Sequence, residues 1–174
     1  MEKIEYDGEL YYYTGKTFVD SHFMTVEKVK LDELSNIYFG SKDFQNFSKE
    51  EIKDYIKSTK NNQQYYLSLK AALYAMDCYK DDASFVFVVL PIVTSIYRSL
   101  NQPQNAIDIA KKYLNICDCG SSILYTSLAA AYCDLENYDL ALKNAKLAYA
   151  KQGGNMGYNN ELSAVFGRIK KMSN

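Results

Sequence analysis

A chain of 174 residues, 48% hydrophobic and 24% charged, has the composition of a folded globular protein and can build a core without disulfides. Its 20 basic and 21 acidic residues leave a net charge of −1, without the strongly basic footprint that nucleic-acid binding usually leaves. The opening Met1-Glu2-Lys3-Ile4-Glu5-Tyr6 is too polar for a signal peptide, and the longest apolar run, Phe85 to Val93, falls far short of the roughly 20 residues of a membrane span.

A cytoplasmic protein is therefore expected, with neither nucleic acid nor membrane as partner. The lack of Trp and the abundance of Lys, Asn and Tyr point to an AT-rich bacterial genome. The four cysteines, Cys78, Cys117, Cys119 and Cys133, are then expected as free thiols. Only Cys117 and Cys119 lie close together, whereas structural zinc sites pair their ligands twice over, so no metal or other cofactor is expected.

Glu9 to Tyr13, the turn Thr14-Gly15, and Lys16 to Val19 read as a short β-hairpin rich in aromatic and β-branched residues. Ser21 to Val26 is a candidate third strand. A helix is predicted over Val26 to Phe39, with Val29, Leu34, Ile37 and Tyr38 apolar and Gly40 as its stop. Ser48-Lys49-Glu50-Glu51 is a capping box, and the helix it opens should reach about Lys60 and bury Ile52, Tyr55 and Ile56. After the Asn61-Asn62 turn, another helix runs from Gln64 to about Tyr79.

From here the chain repeats itself. Leu90, Val93, Tyr97, Leu100, Ala106, Ile107, Ala110 and Tyr113 recur 35 residues later as Tyr125, Leu128, Tyr132, Leu135, Ala141, Leu142, Ala145 and Ala148. The segment Tyr65-x-Leu67-x-Leu69-Lys70-x-Ala72-x-x-Ala75 likewise matches Tyr138-x-Leu140-x-Leu142-Lys143-x-Ala145-x-x-Ala148, with three extra residues absorbed by Lys80-Asp81-Asp82. Such a period predicts stacked helical hairpins, here at about 48–79, 84–116 and 121–151. Pro103 fits the start of a second helix. Pro91 is placed in a first turn by starting its helix near Val88. A last helix, about Asn160 to Met172, follows Gly153-Gly154 and offers Leu162, Val165, Phe166 and Ile169 as a cap for the apolar end of the stack.

These residues resemble the tetratricopeptide repeat (TPR) family. Tyr125, Leu128, Ala129, Tyr132, Tyr138, Ala141, Ala145 and Ala148 follow its pattern in order, and Leu90, Val93, Thr94, Tyr97, Pro103, Ala106, Ala110 and Tyr113 follow it less closely. The resemblance implies a mainly α, TPR-like solenoid of three hairpins over 48–155, flanked by an N-terminal β-hairpin and helix (1–47) and a C-terminal capping helix (156–174). It also implies a module that binds a peptide or protein segment in a concave groove, and no enzyme. By analogy, the first helix of each hairpin lines that groove: Lys53, Lys57 and Lys60, then Ser95, Arg98 and Ser99, then Thr126, Ala130, Cys133 and Asp134. The asparagines of a chaperone-type carboxylate clamp are missing. Arg98 stands out because a guanidinium holds a carboxylate through two parallel bonds; the alternative is a solvated Arg or one paired with a neighbouring Asp.

Outside the repeats, His22 is the one histidine, and adjacent Asp20 and Ser21 make a triad only on paper, because neighbours on a strand face opposite ways. Tyr11-Tyr12-Tyr13 cannot all face one core for the same reason, so at least one is expected on the surface. It either covers the first hairpin of the array or contacts a partner, and the latter opens a second reading: a homo-oligomer or larger assembly joined through the tyrosine-rich hairpin.

Overall fold

The computed structural model describes residues 2–14, 17–39, 44–117, 119–154 and 160–172. The chain is mainly helical, with a small antiparallel sheet at the N-terminus, and divides into two compact units, Met1–Ala75 and Met76–Asn174.

In the first unit the sheet has three strands in the order β1 (Glu2–Tyr6), β2 (Glu9–Tyr13) and β3 (Phe18–Val19). The expected hairpin is β2–β3, pairing Tyr12 with Val19 and Tyr13 with Phe18. The third strand is not Ser21 to Val26, which contributes one isolated bridge, Val19 to Thr25. Residues 20–24 instead form a turn, with the Asp20 carboxylate accepting the backbone amides of His22 and Met24. The third strand is β1, joined to β2 through Asp7-Gly8, both at positive φ as a two-residue hairpin turn demands. Gly15 and Gly40, the expected turn and stop, lie outside the described residues.

The strand alternation resolves the tyrosine triplet. Tyr11 is fully buried with Ile4, Phe18, Leu31 and Leu34, and Tyr13 packs on the same cluster beside Phe18 and Tyr38. Tyr12 takes the other face, half-buried and stacked on exposed Phe23 at 5.8 Å. The Tyr11 hydroxyl donates to Glu9, which also pairs with Lys30 at 2.9 Å. Burial, then the Glu9 hydrogen bond, pushes the Tyr11 phenol up; the bonds from Tyr11 and Lys30 hold the Glu9 carboxyl down. Lys30 comes from α1 (Lys28–Phe39), whose buried side carries Leu31, Leu34 and Ser35 while Ile37 faces solvent, contrary to expectation.

Helix α2 (Lys49–Asn61) opens on the anticipated capping box: Ser48 accepts the Glu51 amide and Glu51 accepts the Ser48 amide. It buries Ile52 and Ile56, with Tyr55 packed on Phe44 and Phe47. The buried Ser68 hydroxyl of α3 (Tyr65–Cys78) donates to the Ile56 carbonyl at 2.7 Å, joining the two helices.

The second unit continues with α4 (Ala83–Ser99), α5 (Pro103–Leu114), α6 (Ser122–Asp134), α7 (Tyr138–Lys151) and α8 (Asn160–Met172). Helix α4 corrects the expectation for Pro91. The helix begins at Ala83, because the Asp82 side chain caps the Phe85 amide, so Pro91 is buried in the interior. Proline has no amide for the Phe87 carbonyl, and its ring crowds that oxygen. Pro91→Ala removes the cost of an interior proline, about 3 kcal/mol for the missing bond and the ring's crowding of the preceding turn together, and with it two buried methylenes at about 0.8 kcal/mol each. A net gain of roughly 1 kcal/mol in urea unfolding is expected; a loss would show that ring packing outweighs the backbone defect.

Packing in this unit follows one rule. Helix α5 packs on α4 and on α6; α7 packs on α6 and on α8; and α4, α6 and α8 contact one another in succession. The turns share a geometry too. Gln63, Asn101 and Glu136 follow α2, α4 and α6 in the left-handed region at φ 60°, 57° and 57°. In each, two backbone bonds close a Schellman motif, as in Glu136 N–H to Cys133 O and Asn137 N–H to Tyr132 O. Fully buried alanines (Ala106, Ala110, Ala141, Ala145, Ala148) let the helices approach. Helix α8 buries Leu162, Val165 and Ile169. Among the described residues no helix is long and apolar enough to cross a membrane.

Candidate functional site

The second unit holds a polar cavity of about 570 Å³ bordered by α4, α6 and α8. Helix α4 and its terminal turn supply Ser95, Arg98, Ser99 and Asn101; α6 supplies Asp134; α8 supplies Glu161 and Arg168. Residues 95, 98 and 99 share one face of α4 because 3- and 4-residue steps stay on one side of a helix. The Schellman turn then swings Asn101 to the rim.

The charges form a chain of three ion pairs. Arg98 Nε meets Asp134 Oδ2 at 3.0 Å, Arg98 Nη1 meets Glu161 Oε1 at 2.6 Å, and Arg168 Nη1 meets Asp134 Oδ1 at 2.8 Å. Asp134 thus bridges two guanidinium groups while Arg98 bridges two carboxylates. The four formal charges sum to zero. Cys133 lies buried behind them, and burial pushes its thiol up against the opposing field of Arg168, which disfavours a reactive thiolate.

Of the residues singled out by sequence, Ser95, Arg98, Ser99 and Asp134 come together here. Thr126 does not face the cavity: it is buried, and its hydroxyl donates to the Ser122 carbonyl. Ala130 and Cys133 are buried as well, because α6 meets other helices on nearly every side. Lys53 and Lys57 belong to the first unit, where Lys53 pairs with Glu50 at 2.7 Å and Lys57 is exposed. Glu161 and Arg168 went unread in the sequence, since α8 was interpreted through its apolar side alone. They lie seven apart, two helical turns along one face, which is the signal that was available.

His22 borders a second cavity of about 340 Å³ with Glu9, Asp20 and Ser21. Asp20 Oδ1 is committed to backbone amides, and the Ser21 hydroxyl stands 3.4 Å from His22 Nδ1. That arrangement closes a turn and does not orient an imidazole for catalysis. Of the cysteines, Cys119 and Cys133 are buried, Cys117 is half-buried and Cys78 is exposed. Among the described residues no group of His, Cys, Asp and Glu is arranged to hold a metal ion.

Compared with protein-family models, curated proteins and solved structures, the chain gives no match.

Proposed function

We propose that this protein is a cytoplasmic, non-enzymatic interaction module, an adaptor or regulator built as a TPR-like array, and that it binds a peptide or protein segment in the cavity of α4, α6 and α8. One observation carries the reading. The cavity is lined by α4 and α6, the first helices of the second and third hairpins, and by α8, the kind of surface that a helical solenoid offers to partners. The repeated helix contacts, the three equivalent Schellman turns and the 35-residue recurrence all support a common repeating unit, with α8 as its cap. Helix packing forms the site in advance, so little ordering accompanies binding.

The sheet supports a second reading, association of this chain with a further copy. Its outer face carries the Tyr12–Phe23 stack, with Phe23 62% and Met24 64% exposed. Single large apolar side chains on a surface are ordinary, but two consecutive ones beside an aromatic stack favour a contact there.

A photoreactive residue placed at Ser99, and separately at Phe23, tests both in cells. The expected outcome is a discrete heterologous adduct from position 99 and none from the exposed Lys143 of α7. Adducts of the chain with itself from position 23, with none from 99, would reject the cavity in favour of self-association.

A further inference from the structure

The four charges of the cavity divide into an inner and an outer pair. Arg98 and Asp134 have side chains 19% and 29% exposed, whereas Arg168 and Glu161 are 43% and 50% exposed. Both outer groups come from α8, which thereby presents one charge of each sign to the inner pair. Helix α8 does not depend on them for its position, because Leu162, Val165 and Ile169 are buried beneath it. The outer side chains can turn aside while the helix stays docked.

This arrangement selects among ligands. A purely anionic segment could take Arg98 Nη1 from Glu161, but it would then face Asp134 and a displaced Glu161. A purely cationic one meets the same conflict with Arg98 and Arg168. A segment with one charge of each sign leaves the inner pair fully partnered: its carboxylate takes Arg98 Nη1, and its cation takes Asp134 Oδ1. The displaced Glu161 and Arg168 are half-exposed and regain water at little cost. Ser95, Ser99 and Asn101 offer neutral partners for a peptide backbone. We infer that the cavity recognises a peptide segment carrying a carboxylate and a cationic side chain at neighbouring positions, which exchanges with Glu161 and Arg168 on the Arg98–Asp134 pair. This rests on the reading of the cavity as the binding site.

The test uses the full chain, isotope-labelled, at low salt and four end-blocked tetrapeptides: acetyl-Ala-Glu-Lys-Ala-amide, its Lys-Glu reversal, and Glu-Glu and Lys-Lys controls. At least one mixed peptide should shift the amides of residues 95–101 and 134 and bind at least about fivefold tighter than either control. The double variant E161Q/R168Q, lacking the internal competitors, should bind it about tenfold tighter than wild type. Asp134→Asn should abolish the preference for the mixed peptide over Glu-Glu. Equal or tighter binding of Glu-Glu to wild type would overturn the inference in favour of an anion clamp and leave the cavity as the binding site. A mixed-peptide preference that survives Asp134→Asn would also overturn it. Silence of those amides toward all four peptides, in wild type and in the folded double variant, would overturn it too, while the cross-link from position 99 judges the cavity separately.

Discussion

Leu124→Ala should lower the unfolding free energy by about 2–5 kcal/mol. Leu124 is fully buried in α6, the helix that contacts α4, α5, α7 and α8. Nine of the thirteen residues of α6 are buried, from Leu124 to Cys133 with Tyr125 the one gap, so apolar residues surround the helix and no solvent stripe remains. A leucine cut back to alanine there loses its transfer free energy and leaves a cavity that four neighbouring helices cannot close without moving. Domains of this size are stable by about 5–15 kcal/mol, so the loss is a large part of the total. Urea unfolding should show a lower midpoint at an unchanged slope. Leu124→Met, which keeps the volume, should cost less than about 1.5 kcal/mol. A loss below about 1 kcal/mol for the alanine variant would mean that the packing around α6 is loose.

The helices were legible because three independent signals agreed on them: apolar spacing, caps and turn residues. Ser48 and Glu51 announced α2, Pro103 announced α5, and the Asn160–Met172 helix lies where its apolar spacing put it. A single signal misleads. Pro91 alone points to a helix starting near Val88, although Asp82 is a sound cap one residue before Ala83. Strand β1 was overlooked because Glu2–Tyr6 is charged, yet Asp7-Gly8 between two short runs is a strong hairpin signal.

The cavity was half legible, for a physical reason. The 35-residue recurrence aligns α4 with α6 and matches Arg98 to Cys133 and Ser99 to Asp134, so Arg98 and Asp134 fall at neighbouring places on the two helices. The same alignment puts Thr126 in the groove, whereas it is buried, because a helix flanked on both sides has fewer exposed positions than its sequence suggests. It was silent about α8, which has no hairpin partner to be aligned with. Long-range pairing of Glu161 with Arg98, 63 residues apart, is set by how the helices stack and leaves no local trace.

If the 35-residue recurrence reflects a structural unit, the same substitution made one unit apart should cost about the same. Ala110 in α5 and Ala145 in α7 are equivalent in sequence, and both are fully buried. Each stands in a helix packed between a preceding and a following helix, α5 between α4 and α6 and α7 between α6 and α8. Alanine allows that approach, and leucine adds three carbons where the interior has no spare volume. Ala110→Leu and Ala145→Leu should each destabilise the fold by about 1–3 kcal/mol, and the two values should agree within about 1 kcal/mol. The exposed Ala150, near the end of α7, is the control: Ala150→Leu should change stability by less than about 0.5 kcal/mol. The comparison isolates packing from helix propensity, since alanine and leucine are both strong helix formers. Loss at one buried position with none at the other would show that the two hairpins share a spacing without sharing an interface. The recurrence would then be a coincidence of composition, and the case for a repeating array would fall with it.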